Sequence, residues 1–193
     1  MKCSGKSSSV VALPDFGYED VEKISQKFED RIPEALVKAQ EWKSDAYLFT
    51  VNVFFQGANL SANHSPILYF RSPDASLNKE FFVELSQDFN SLAEWGEESF
   101  ANGQTPIIQY QAIKPEDLKI GFAQALEIAE QNGGSDFRKN QESYSITLDL
   151  YNKTAVGFEW GVYYYELTDA DTYESIEIYL DAATGAVKDI KTN

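Results

Sequence analysis

The chain has 193 residues, and its 16 lysine and arginine residues against 31 aspartate and glutamate residues give a formal net charge of −15 at neutral pH. This charge argues against a nucleic-acid-binding protein, because such proteins need basic side chains to displace the counterions of phosphate groups. The single histidine and single cysteine exclude an internal disulfide and a zinc site with several histidine or cysteine ligands, and no stretch approaches the roughly 18 consecutive apolar residues of a membrane span.

The N-terminal residues place the only cysteine, Cys3, ahead of a short tether of serine, glycine and lysine. This arrangement resembles the start of a mature bacterial lipoprotein, in which the first cysteine carries the lipid and a small polar linker follows. The resemblance implies a flexible tether over residues 1–13 and an exported protein of the cell envelope or periplasm, lipid-anchored through Cys3. The other interpretation is an ordinary free cysteine in a frayed tail.

The first half of the chain predicts one helical region followed by strands. From Tyr18 to about Trp42, apolar residues recur at spacings of three and four, which is typical of an amphipathic helix. Pro33 should interrupt it, either as a kink or as the first residue of a second helix. Strict alternation of apolar and other residues predicts a strand with one buried face. The predicted strands are Tyr47–Phe55, Ile67–Arg71 and Glu80–Leu85.

The second half repeats this order. Pro115 and the acidic residues after it start a predicted helix, whose buried stripe includes Phe122 and Leu126. Gly133 and Gly134 should end it. The predicted strands begin at Tyr144, span Phe158–Leu167 and Ser175–Leu180, and close with Ala186–Ile190 after a turn at Asp181–Gly185.

The two halves can be aligned with each other. Pro66–Trp95 fits Gly161–Ile190 without a gap, and Tyr47–Phe55 fits Tyr144–Asn152. The alignment pairs Tyr69 with Tyr164. It also places Asn90 on Gly185, and asparagine and glycine are the two residue types that best tolerate a left-handed backbone. It also aligns the residues predicted to point inward from one strand with those of another: Phe81, Val83 and Leu85 match Ile176, Ile178 and Leu180.

This correspondence predicts two tandem units, 14–101 and 106–193, each with a helix on an antiparallel sheet. The boundary should lie near Asn102–Thr105. The alternative is one continuous sheet whose strands merely share a period. In either case the predicted fold class is α+β.

The end of the second half carries a family resemblance. Ile178–Val187 runs from an apolar strand into Asp-x-x-Thr-Gly and a second apolar segment, and Phe122–Ala129 is an alanine-rich helix. This combination resembles PepSY domains. The resemblance implies two PepSY-like or cystatin-like units, of which the first is degenerate because Ser86–Asn90 replaces the turn. It further implies export and a protein-binding or protease-regulating role, and it supplies no catalytic residues.

No residue cluster indicates catalysis. His64 lies in a polar loop without an orienting partner or a nucleophile in the local sequence. Asp169–Glu174 lacks the glycine and the distant glutamate of a calcium-binding EF-hand loop, so a solvated connection is expected. The cluster Glu94, Glu97 and Glu98 is expected to be a charged linker between the units. The sequence therefore predicts a protein that is not an enzyme and has neither a metal nor a cofactor; a carboxylate enzyme is the remaining, minor alternative.

Tyrosines are the candidate binding residues. Four of them alternate with the inward rows of their strands, so they should lie on the face that the helix leaves uncovered. Tyrosine tolerates partial exposure and is enriched in binding surfaces; the alternative is that the units pack together through these rings. The four are Tyr151, Tyr163, Tyr165 and Tyr179.

These observations predict a non-catalytic, exported binding or regulatory module. Its partner would be an unidentified protein, with a protease as one candidate, that presents a basic patch to the acidic surface. Nucleic acid is not expected, and membrane contact would occur only through the lipid on Cys3. The alternative is a carrier of a small apolar ligand, with a pocket between helix and sheet near Phe158 and Trp160.

Overall fold

The computed structural model describes residues 21–57, 59–60, 66–75, 79–99, 110–167 and 174–193. Its first half consists of one helix and a meander of strands. Apolar residues of the helix recur every three or four positions and are buried, whereas Pro33 lies exposed within a helix that continues without a break. The elements are α1 (Val21–Trp42), β1 (Tyr47–Gln56), β2 (Asn59–Leu60), β3 (Ile67–Arg71), β4 (Lys79–Leu85) and β5 (Leu92–Ser99).

The second half has a broken helical region before its strands. A short 3₁₀ turn at Pro115–Asp117 comes first, and the helix then kinks at Gly133, whose φ is 123°, and resumes. The backbone leaves helical geometry at Asn132 and Gly133, as predicted, and a further helix that the sequence analysis did not predict begins directly after the two glycines. The elements are α2 (Phe122–Ala129), α3 (Ser135–Asn140), β6 (Tyr144–Lys153), β7 (Gly157–Glu166), β8 (Ser175–Asp181) and β9 (Val187–Thr192).

The described strands form one antiparallel sheet in the order β5-β4-β3-β1-β6-β7-β8-β9, and β2 pairs with β1. The first strands of the two halves, β1 and β6, are neighbours and pair from Thr50↔Tyr151 to Gln56↔Ser145. Each half therefore contributes a helical region and a four-stranded meander that runs outward from this join. The α+β class, with helices on an antiparallel sheet, is confirmed.

Register irregularities occur at matching places in the two outer hairpins. In β4 the pairing with β5 shifts between Glu84 and Leu85, and in β8 the pairing with β9 shifts between Tyr179 and Leu180. The alignment had placed these two sites on each other. The division into tandem units stays a prediction, and its boundary at residues 102–105 lies outside the described residues.

Two details of the alignment are wrong. Tyr69 pairs with Thr50 and Phe82, as Tyr163 pairs with Thr147 and Glu177, so Tyr163 and not Tyr164 is the spatial counterpart of Tyr69. The pairing of β1 with β3 also shifts register between Leu48 and Thr50.

The turn after β4 also differs from the alignment. The left-handed residue is Phe89, at φ 58°, rather than Asn90. The Phe89 ring is fully buried against Phe28 and Phe122, which supplies packing that an exposed turn would lack.

One hydrophobic core lies between the helices and the sheet and spans both halves. Phe28 of α1 contacts Phe122 of α2, with ring centroids 5.8 Å apart. On the sheet side the inward rows of the strands are buried, as the alternation predicted. These rows include Phe81, Val83, Leu85, Ile146, Leu148, Leu150, Ile176, Ile178 and Leu180.

Candidate functional site

The four predicted tyrosines lie on the sheet face opposite the helices. Even-numbered residues of β6, β7 and β8, such as Trp160 and Tyr164, fill the core, so the odd-numbered tyrosines point to the other side. We call this surface the tyrosine face; it consists of Tyr151, Tyr163, Tyr165 and Tyr179.

The tyrosine rings contact one another. Tyr163 and Tyr165 stack with centroids 6.2 Å apart and an interplanar angle of 4°, and Tyr163 meets Tyr179 edge to face at 5.8 Å. Tyr151 is only 4% exposed, whereas the other three are partly exposed. The sheet thus brings all four together, and the halves join edge to edge through β1 and β6 rather than through these rings.

Gly161 creates a depression in this face. It lies between Asp149 of β6 and Tyr179 of β8 in the pairing of the strands. The Tyr163 side chain lies directly over Gly161, so closely that a Cβ atom on Gly161 would collide with the phenol end of the ring. The missing side chain is therefore what lets Tyr163 lie flat along the sheet.

A cavity of 430 Å³ opens on the tyrosine face. Two ammonium groups lie over its rings: Lys153 Nζ is 3.4 Å from the Tyr151 centroid, and Lys191 Nζ is 4.4 Å from the Tyr179 centroid. These are cation–π distances. We call it the tyrosine cavity; its lining residues are Tyr151, Lys153, Val156, Glu159, Tyr163, Tyr179, Lys188, Asp189 and Lys191.

Burial shifts the titration of groups in the cavity. It raises the phenol pKa of Tyr151, Tyr163 and Tyr179 above the ordinary tyrosine value. Burial also lowers the pKa of Lys153, which nearby Glu159 partly offsets. The phenols are therefore neutral hydrogen-bonding groups at physiological pH, and Tyr179 donates a bond of 2.6 Å to Glu177 Oε2.

A second aromatic cavity, of 230 Å³, lies on the same face of the sheet, over the strands of the first half and beside Tyr110 of the second. There the Arg71 guanidinium lies 4.5 Å from the Phe49 ring centroid and 5.2 Å from that of Tyr110. It pairs with the buried Glu80, whose pKa burial nevertheless raises. Glu98 also lines the cavity. Because Arg71 neutralises Glu80, we interpret this pair as structural. The cavity is assembled from four strands and the Tyr110 segment, so it gives no local sequence signal.

The interpretation of Glu94, Glu97 and Glu98 as a linker is wrong, because all three lie on the edge strand β5. Glu97 accepts hydrogen bonds from Trp42 of α1 and Lys79 of β4. Charged side chains on an edge strand discourage pairing with other chains, so the cluster belongs to the sheet.

A mainly apolar cavity of 170 Å³ lies where α1 meets β1 and the segment before the 3₁₀ turn, next to Ile32, Leu36 and Leu48. It is smaller than the roughly 300–1,000 Å³ of typical ligand pockets. The core ring of Trp160 is fully buried and donates its indole N–H to the Ile120 carbonyl at 2.7 Å. Trp160 therefore fills the core instead of lining a pocket.

Several predicted positions lie outside the described residues: the tether 1–13 with Cys3, His64, and residues 169–173 of the acidic loop. Among the helices that are described, none is long and apolar enough to cross a membrane. Within the same residues, no group of three or more histidine, cysteine, aspartate or glutamate side chains is arranged to hold a metal ion.

Comparison with family models finds no match, and no curated protein matches the chain. Among solved structures, the crystal structure of a candidate lipoprotein from Clostridium difficile 630 aligns with 83% of this chain and 91% of its own, at 12% sequence identity and a TM-score of 0.49. A likeness of this size assigns neither family nor function to this chain.

Proposed function

We propose that this chain is a non-catalytic binding or regulatory module of the bacterial cell envelope that engages a partner protein through the tyrosine face. The observation that carries the proposal is the convergence of four tyrosines on the uncovered side of the sheet, around a cavity. Regulation of a protease is the specific role that the resemblance of Ile178–Val187 to PepSY domains implies.

The chemistry of the tyrosine face supports binding to a protein. Tyrosine rings provide a large contact area at a small cost in side-chain entropy, and their hydroxyl groups form hydrogen bonds. Tyr163, Tyr165 and Tyr179 are partly exposed and held by mutual ring contacts, so little ordering is required when a partner binds.

A small-ligand carrier has weaker support. The apolar cavity beside α1 measures 170 Å³. Of the two aromatic residues predicted to surround a pocket, Trp160 is buried in the core and Phe158 packs against the core. The tyrosine cavity is wider, but its lining is charged as well as aromatic, which suits a protein surface better than an apolar molecule.

The envelope location rests on Cys3 and the polar tether that follows it. The test is metabolic labelling of the native precursor with a fatty acid in wild-type cells and in cells that carry Cys3→Ser. We expect label and membrane retention for the wild type alone. Equal labelling of the Cys3→Ser protein would reject the lipid anchor.

The binding role can be tested by capture from the native envelope with the wild type, a Tyr163→Ala/Tyr165→Ala variant and a Trp95→Ala control. Trp95 is 45% exposed but lies on the helix side of the edge strand, under Lys38. A protein captured by the wild type should then bind it directly after purification. We expect loss of binding in the tyrosine variant only; equal binding by all three proteins would reject the proposal.

A further inference from the structure

The tyrosine cavity concentrates positive charge in a chain that is strongly negative overall. Three lysines line it, Lys153, Lys188 and Lys191, against two carboxylates, Glu159 and Asp189, whereas the whole chain has a formal charge of −15. The side chains that line the cavity therefore carry a small net positive charge, and Glu177 and Asp149 lie beside its rings without lining it.

The other end of the same face is acidic. Glu80 pairs with Glu98 across β4 and β5, and Glu84 pairs with Glu94. These residues alternate with the buried row of β4, so they lie on the side that carries the tyrosines. Apart from Arg71, no basic side chain lines the described cavity there. An acidic ligand is repelled from this end and attracted to the lysine-bearing end.

Lys153 is the lysine best placed to accept an anion. Its ammonium group lies on the Tyr151 ring, and among the described residues no carboxylate comes within 4.0 Å of it. Lys188 is instead paired with Glu159 at 2.9 Å, and Lys191 lies 4.0 Å from Asp189. Burial lowers the pKa of Lys153 and the nearby Glu159 and Asp149 offset this only in part, so an incoming carboxylate in direct contact with the ammonium group would stabilise its charged form.

The position of the cavity favours an extended peptide. Its lysines Lys188 and Lys191 belong to β9, which in the described part of the sheet is paired on one side only, with β8. All described side chains of β9 are exposed. A peptide strand that pairs with this open edge presents alternate side chains to the tyrosine face, beside Lys191 and the cavity.

We propose that the tyrosine cavity binds carboxylate side chains of an extended acidic segment of a partner protein, with Lys153 and Lys191 as the anion-binding residues and the rings of Tyr151, Tyr163 and Tyr179 as its floor. This inference rests on the proposed function and specifies the partner. It predicts an acidic segment on the partner, whereas the net charge of the whole chain, considered alone, favours a basic patch.

The test uses the full chain and a labelled synthetic peptide of alternating glutamate and threonine, followed by fluorescence anisotropy. Peptides with glutamine or lysine in place of glutamate are the ligand controls. The protein variants are Lys153→Gln/Lys191→Gln and, with the same change in net charge on exposed helix-side positions, Lys119→Gln/Lys139→Gln. Thermal unfolding confirms that each variant is folded.

We expect the glutamate peptide to bind the wild type and the Lys119→Gln/Lys139→Gln control, and to bind more weakly as salt is raised. The Lys153→Gln/Lys191→Gln change should reduce its affinity about fivefold or more, because two ion pairs are lost, one of them at the partly buried Lys153. Equal or tighter binding of the glutamine or lysine peptide would overturn the inference. So would absence of binding, or an unchanged affinity in the Lys153→Gln/Lys191→Gln variant.

This result can be separated from that of the capture experiment. If the tyrosine variant loses its captured protein but the glutamate peptide does not bind the wild type, the partner chemistry is wrong and the binding face stands. If the peptide binds as expected but capture is unaffected by the tyrosine substitutions, the cavity is an anion site and the proposed function fails.

Discussion

Asn52 donates a side-chain hydrogen bond of 2.7 Å to Asp149 Oδ1 across the join between β1 and β6. The two residues are direct cross-strand partners and also occupy equivalent positions in the alignment of the two halves. From this pair outward, the strands of the first half follow one another towards one edge of the sheet, as β3, β4 and β5. The strands of the second half follow one another towards the other edge, as β7, β8 and β9. A polar pair thus lies at the centre of an eight-strand path, on the face that carries the tyrosines.

Asp149→Asn should stabilise the protein at neutral pH. Burial raises the pKa of Asp149, although the Asn52 amide and Lys153 partly offset it. Between the ordinary aspartate pKa of about 3.9 and the raised pKa of the folded state, Asp149 keeps its proton in the folded chain and has lost it in the unfolded chain. The free energy of unfolding therefore falls as pH rises through this range. Asparagine keeps an acceptor for Asn52 and removes this loss.

Urea unfolding at neutral pH and at a pH below about 3.9 checks this expectation. The gain in unfolding free energy should be present at neutral pH and absent in acid. Asp136→Asn is the control, because the Asp136 side chain is 85% exposed. A variant less stable than the wild type at neutral pH would contradict the prediction.

Arg138 should be needed for stability because it neutralises a buried carboxylate. Its guanidinium bonds to Glu130, whose side chain is 0% exposed and also accepts a bond of 2.9 Å from the Tyr164 hydroxyl. Arg138→Met leaves the Glu130 charge buried and should cost about 3–5 kcal/mol in chemical denaturation. The neighbouring Lys139→Met, at a side chain 69% exposed, should change stability by less than about 0.5 kcal/mol. An equal loss of stability in both variants would show that the Glu130–Arg138 ion pair does not account for the effect of Arg138→Met.

Gly161→Ala should displace the Tyr163 ring rather than unfold the sheet. The added methyl collides with the phenol end of a side chain that can move outward, so the stability change should stay within about 1 kcal/mol. Near-ultraviolet circular dichroism should report the altered packing of Tyr163 against Tyr165 and Tyr179. In a Tyr163→Ala background the same substitution should change that spectrum little; a large change there would place the collision elsewhere.

The protein should lose stability at alkaline pH through its buried phenols. Burial raises the pKa of Tyr69 to about 12 and that of Tyr163 still further. Above about pH 10 the unfolded chain releases phenol protons that the folded chain retains, so the free energy of unfolding falls as pH rises. Ultraviolet titration should show part of the tyrosines ionising only as the fold is lost. Tyr163→Phe should reduce the pH dependence, whereas an unchanged slope would exclude Tyr163 as a source.

The position of the tyrosines could be predicted from the sequence because alternation is a local property of a strand. Once Ile146, Ile178 and their neighbours are assigned to the core, Tyr151 and Tyr179 must point the other way. The edge strand β5 was missed as an element of the sheet because its glutamates have the composition of a linker, and strand pairing outweighs that preference. The helix after Gly133 was missed because a pair of glycines is typical of a helix end, and the hydrogen bond from Tyr164 of β7 to Glu130, which holds this region against the sheet, exists only in the folded chain.

The sequence by itself determined the α+β class, most of the strands and the side of the sheet on which the tyrosines lie, because periods of two and of about 3.6 residues express which face is buried. Only the tertiary structure decided that both halves share one sheet, that Lys153, Lys188 and Lys191 meet the tyrosines at one cavity, and that Asn52 bonds to Asp149. These contacts join residues as far as 97 positions apart in the chain, and they depend on which strands become neighbours, which no local pattern specifies.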